Sequence, residues 1–121
     1  MDKRTDAEKQ YIEKWREPIQ NFMNFSSQLE GKLTDEAMSN IRDAREMLPS
    51  MLEKGSLFIS NTSGHICAGL NYERDIKNPQ DYPVGSERYK LITQTIEYLT
   101  NIASVHKKAW LEFKKRSVAN E

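Results

Sequence analysis

The chain has 121 residues, the length of one ordinary domain, and its 18 basic and 18 acidic side chains cancel to no net charge. That balance argues against a dedicated nucleic-acid binder, which needs a basic excess, and against an acidic mimic of nucleic acid. Apolar residues at 37% and charged residues at 30% leave a thin core for so short a chain, which favours self-association or a partner that completes burial.

Thr5-Asp6-Ala7-Glu8 fits a capping box that opens a helix. Tyr11, Trp15, Pro18, Phe22, Phe25 and Leu29 then alternate four- and three-residue steps, and Ile12, Ile19 and Met23 widen the face. The spacing predicts one helix over about 5–30, kinked where Pro18 lacks an amide proton and crowds the carbonyl of Lys14, and stopped by Gly31.

Thr34 caps a second helix over 34–54, with Asp35 and Glu36 in its first turn, where the helix dipole favours acid. Leu33 and Met38 have the spacing of a hydrophobic staple. Met38, Ile41, Arg45, Leu48 and Leu52 carry the rhythm past Pro49 to Gly55. Ser86 caps the longest helix, about 86–116. Its main seam is Tyr89, Ile92, Ile96, Leu99, Ala103, His106, Trp110 and Phe113, and a second stripe of Leu91, Tyr98, Ile102 and Val105 runs beside it, so this helix expects two neighbours.

Between the second and third helices lies an insertion, 56–85. "SLFIS" and "HICAGLNY" flank "NTSG", a four-residue turn, and both flanks tolerate strand geometry, so a short β-hairpin is expected there. Two strands alone are marginal, so the hairpin would lie on the helices. The stretch that follows, with two prolines, reads as a loop. At 1.5 Å per residue the three helices would run about 39, 30 and 45 Å. The second is too short to cover the groove between the others, so Leu57, Phe58, Ile59 and Ile66 are expected to close it as a lid, unless a second copy of the chain does so.

Chemistry-bearing groups are sparse. Cys67 is the lone cysteine and allows no intrachain disulfide, which suits a reducing compartment. The N-terminal "MDKRTDAEKQ" has no apolar core of a signal peptide, and no run approaches the roughly 20 residues of a membrane span, so the expected setting is the cytoplasm. His65 and Cys67 would share a strand face, yet residues two apart on a strand do not bond side chain to side chain as a nucleophile and base must. Cys67, His65 and His106 show no paired metal-ligand spacing, and the scattered glycines make no phosphate loop. No catalytic residue, metal or cofactor is therefore assigned. His106, inside the main seam, is read as a core histidine bonded to a facing helix, with a pH-sensitive or register-setting contact as the sharper reading.

Binding residues are sought in two places. Asn71, Tyr72, Arg74 and Tyr82 stand in the insertion, and tyrosine and arginine are common interface anchors. Lys107, Lys108, Lys114, Lys115 and Arg116 cluster at the end of the last helix, where they complement its dipole and could also meet an anionic ligand. Trp110 and Phe113 lie among them and are the expected oligomer contact, a two-fold dimer being the commonest arrangement. The fold expected is thus one all-α domain over 1–121: a three-helix antiparallel bundle with a hairpin-and-loop insertion. The function expected is non-enzymatic binding of a protein partner, as an inhibitor or adaptor, in a homo-oligomer. The alternatives are a phosphate- or nucleic-acid-binding module at the basic helix end, or a small-molecule sequestering protein.

Overall fold

The computed structural model describes residues 6–119, with side chains as far as 108 apart from Ala7. Most of the described length is helical: α1 (Asp6–Glu13), α2 (Arg16–Ser26), α3 (Asp35–Lys54), α4 (Ile59–Tyr72) and α5 (Glu87–Ala119). A five-residue π-helical turn, Glu73–Lys77, and a 3-10 turn, Pro79–Asp81, link α4 to α5. No strand occurs among the described residues.

The hairpin expectation is therefore corrected. "NTSG" is not a turn but the middle of α4, which makes the bundle four-helical rather than three-helical. Its buried positions, Ile59, Ser63 and Leu70, with Ile66 packed beside them, step by four, three and four. The helical period was present, but a serine stood where an apolar residue would have marked it. Ser63 fits the interior because its hydroxyl donates to the Ile59 carbonyl at 2.8 Å. Ahead of the helix, the Ser56 hydroxyl accepts from the Phe58 amide at 3.2 Å.

The first helix is also corrected, since it is two. Lys14 and Trp15 bond back only three residues, to Tyr11 and Ile12, and a new helix begins at Arg16. The break lies upstream of Pro18 for a physical reason. Proline cannot donate to the Lys14 carbonyl and its ring crowds that carbonyl, whereas in the first turn of a new helix no such donor is required. The first intact bond of α2 runs from Ile19 to Trp15, at 3.0 Å.

α3 starts and stops as its sequence dictates. The Thr34 hydroxyl accepts from the Ala37 amide at 3.3 Å, Leu33 and Met38 are both buried, and Gly55 ends the helix at φ 69°. At α5 the Ser86 hydroxyl accepts from the Tyr89 amide at 3.2 Å.

Cross-helix bonds fix the arrangement. Ser60 reaches Ile102, Cys67 reaches Thr100 and Arg74 reaches Thr93, so α4 runs antiparallel to α5. Thr34 meets Glu73, and the Asn40 side chain lies beside Gly69, so α3 runs antiparallel to α4. Arg45 bonds the Met23 carbonyl and the Ser26 hydroxyl, joining α3 to α2. The Phe25 and Tyr98 rings stack with centroids 4.9 Å apart, joining α2 to α5. Each of the four thus touches two neighbours in an up-down-up-down ring. The core holds Trp15, Phe22 and Leu29 from the first arm, Ile41 and Leu48 from α3, Ile59 and Leu70 from α4, and Ile92, Leu99 and Ile102 from α5. Trp15 reaches across the core, its indole N–H donating to the Ser60 hydroxyl at 3.1 Å.

Part of the lid expectation also changes. Ile59 is buried and Ile66 packs on the core, but Leu57 and Phe58 face outward.

Candidate functional site

The residues singled out in the insertion do not share a loop. Asn71 and Tyr72 end α4, Arg74 lies in the π turn, and Tyr82 follows the 3-10 turn. The π turn directs consecutive side chains to different neighbours, a feature that often marks specialised sites. Glu73 turns in toward α3 and is only 2% exposed. Its carboxylate accepts from the Thr34 hydroxyl at 2.8 Å and from the Asn78 amide group at 3.0 and 3.1 Å. Thr34 also shares a 2.6 Å bond with the Tyr82 hydroxyl, which in turn accepts from the Thr34 amide at 3.4 Å. A negative group at the start of α3 is further favoured by the helix dipole. Tyr82 is therefore an internal strut rather than a surface anchor, and burial pushes its hydroxyl above the ordinary tyrosine value against the opposing bonds from Thr34.

Just outside this network Lys77 and Glu36 pair at 3.0 Å. The hydrogen bond from Lys77, and a second contact with Glu73, hold the Glu36 carboxyl below the usual carboxylate range.

Arg74 turns the other way, onto α5. It donates to Thr93 at 2.9 Å, to the Asn71 side chain at 3.1 Å and to Asp75 at 2.7 Å, and lies 5.2 Å from the Tyr89 ring centroid. The bond to Arg74 lowers the Asp75 carboxyl, and the same bond raises the guanidinium. Asn71 in turn donates to the Cys67 carbonyl at 3.0 Å. Arg74 thus ties the π turn to α5, while Asn71 spends its polar atoms within α4 and on Arg74.

Tyr72 is different, because it faces out. Phe58, His65 and Tyr72 are seven residues apart, and Ile76 follows four later. Seven residues return a helix to nearly the same direction, so the first three form one line along α4, and all four side chains are exposed. Phe58 is 66% exposed, Tyr72 52% and Ile76 67%. Met47 on the adjoining helix α3 is also exposed, at 44%. From Phe58 to Ile76 the line runs about 27 Å at 1.5 Å per residue.

The helical form of α4 also separates His65 from Cys67. Two helical steps of 100° put them on different faces: His65 is exposed, while Cys67 is half-buried against α5 with its sulfur 3.3 Å from the Thr100 hydroxyl. His106 does have the partner expected on a facing helix, the Tyr11 hydroxyl, but the contact lies at the surface rather than in the core. Lys107 and Lys108 are exposed, and Lys108 borders a groove between α2 and α5. The side chains of Trp110, Phe113, Lys114, Lys115 and Arg116 lie outside the described residues. Among the described residues no group of three or more His, Cys, Asp or Glu side chains is placed to hold a metal, and no helix is long and apolar enough to cross a membrane.

Sequence reasoning missed Glu73, Asn78 and the outward line on α4. Glu73 carries no periodic signal, since it is an acid in a segment read as a loop. The seven-residue spacing of Phe58, His65 and Tyr72 was visible in the sequence, but it has meaning only on a helix. No family model, curated protein or solved structure matches the chain.

Proposed function

We propose that the protein is a non-enzymatic, cytoplasmic interaction module, of inhibitor or adaptor type, whose working surface is the outward line of α4. The observation that carries this reading is the row Phe58, His65, Tyr72 and Ile76, left exposed although the bundle has closed its own core. Scattered exposed apolar residues are ordinary, whereas a row repeating at seven residues has the period with which one helix packs on another. The occupant that fits is an amphipathic helix of a partner protein, about 18 residues long to match the row, with its apolar side on Phe58 and Tyr72. Met47 is a further exposed apolar residue on the adjoining α3, and Tyr72 brings an aromatic ring with a polar tip, a residue type enriched at binding hot spots.

The test places a photoreactive amino acid at position 65 and sequences what it captures in cell lysate. Capture of a segment with apolar residues at three- and four-residue steps, lost when Phe58 and Tyr72 are both changed to Ser, supports the reading. Capture of the protein's own chain identifies the occupant as a second copy, in keeping with a homodimer. Capture that persists in the double variant, with the fold intact by circular dichroism, refutes a role for the row.

A further inference from the structure

Along its contact with α2, the helix α5 borders a groove whose polar groups the fold leaves unused. Beside Pro18 and the buried Val105 the groove opens to about 430 Å³, a volume in the range of small-molecule sites. A second cavity of about 260 Å³ adjoins it, sharing Tyr98 and Asn101. Together their lining runs along α5 from Gln94 to Lys108, about 21 Å at 1.5 Å per residue. Tyr98 lies where the two cavities meet, and its ring is held by Phe25, with centroids 4.9 Å apart.

Charge does not choose the ligand. Glu17 and Lys108 both line the larger cavity, and Glu97 lines the smaller. Lys14 borders the groove as well, but it already has an interaction partner of its own. An anion would meet two carboxylates and a cation would meet Lys108, so neither is favoured along the whole groove. The other polar groups are uncharged: the carboxamides of Asn21, Gln94 and Asn101, and the Tyr98 phenol. Among the described residues none of these four side chains makes a hydrogen bond, whereas next to Asn21 the Gln20 carboxamide donates to Asn24 at 2.8 Å. Each carboxamide can donate twice and accept, the phenol does one of each, and the two carboxylates accept. That mixture matches hydroxyl groups, which donate and accept at once. The Tyr98 ring, Pro18 and Val105 supply apolar surface for the C–H face of the same molecule.

We infer that the groove between α2 and α5 binds an uncharged sugar of at least two rings, with Asn21, Gln94 and Asn101 bonding its hydroxyls and Tyr98 against a ring face. The two-ring minimum comes from the length of the groove. This site is independent of the docking face on α4, and neither reading depends on the other.

The experiment titrates two sets of sugars into isotope-labelled protein and follows the amide resonances. Maltose, cellobiose and sucrose test size, and glucose, glucosamine and glucose 6-phosphate test charge. At least one disaccharide is expected to shift the side-chain signals of Asn21, Gln94 and Asn101, with Kd of about 1 mM, the scale of a few neutral hydrogen bonds at an open site. Glucose should bind more weakly than that disaccharide, and no more weakly than its two charged derivatives. Asn21→Ala and Asn101→Ala should each weaken the disaccharide about fivefold, the scale of one neutral bond, while Lys108→Ala leaves it unchanged. All three substituted side chains are exposed, so the fold should survive, and unchanged circular dichroism checks this. The assignment is overturned if no disaccharide shifts these signals, or if the shifts ignore both asparagine substitutions. Tighter binding of glucose 6-phosphate, lost in Lys108→Ala, would give the groove to an anion instead. Tighter binding of glucosamine would give it to a cation.

Discussion

The buried carboxylate of Glu73 offers the sharpest test of how the working end of the bundle is held. Glu73→Ala removes the acceptor for the Thr34 hydroxyl and for the Asn78 amide group. Hydrogen bonds to a charged group contribute about 1.5–3 kcal/mol each, and a donor left short of a partner adds its own desolvation cost. Against this, the variant no longer buries a charge, and Thr34 keeps its bond to Tyr82. The net expectation is a loss of about 3 kcal/mol, a large share of the roughly 5–15 kcal/mol that stabilises a domain. For 121 residues the unfolding entropy is about 0.25 kcal/mol/K, so the midpoint should fall by about 12 °C. Urea titration and a thermal melt measure both, with an unchanged urea slope showing that the denatured state is not involved. A loss below about 1 kcal/mol would mean that burying the charge costs as much as its bonds return. The ends of α3 and α4 would then be joined by packing and the Thr34–Tyr82 bond alone.

Two further outcomes follow from the same end of the molecule and from the α3 stop. Burial raises the Tyr82 hydroxyl in the folded state, so the fold holds that proton more tightly than the unfolded chain does. The resulting stability is complete below about pH 10 and is lost as pH rises through the folded value. Urea melts from pH 8 to 11 should show wild type losing more stability than Tyr82→Phe, and parallel losses would count against it. Gly55→Ala should cost about 1 kcal/mol, because φ of 69° strains any residue with a Cβ, and a neutral result in the same melts would show that the α3 terminus rearranges freely.

What the sequence made legible was local. Thr34, the Leu33–Met38 pair and Gly55 mark α3 through side-chain and backbone bonds within a few residues, and each stands where that chemistry puts it. Ser86 does the same for α5, which packs on both α2 and α4. Pro18 announced a disturbance but not its position, because proline constrains the residues before it and the chain satisfied that constraint by restarting the helix. Glu73 was illegible because its importance lies in Thr34, some forty residues away, and no local pattern encodes that meeting. Tyr82 was legible as an aromatic, but only the fold decides that it points inward.

The misreading of α4 bears on the case for a partner. Its sequence disfavours a helix. Two glycines at about 1 kcal/mol each, and some six serine, threonine, asparagine and histidine residues at about 0.5 each, cost about 5 kcal/mol relative to alanine. Burying Ile59, Leu70 and much of Ile66 returns about 2 kcal/mol each, close to 6 in all. The helix thus exists because α3 and α5 receive it, and its small residues, Ser63 and Gly69 among them, let it sit close to both. The short second helix no longer requires a second copy of the chain to cover the groove, since α4 already does so. A thin core therefore ceases to argue for association. Phe58, Tyr72 and Ile76 are then exposed beside a helix that has already satisfied its inner face. The case for a partner rests on that surplus, and it stands or falls with the row itself.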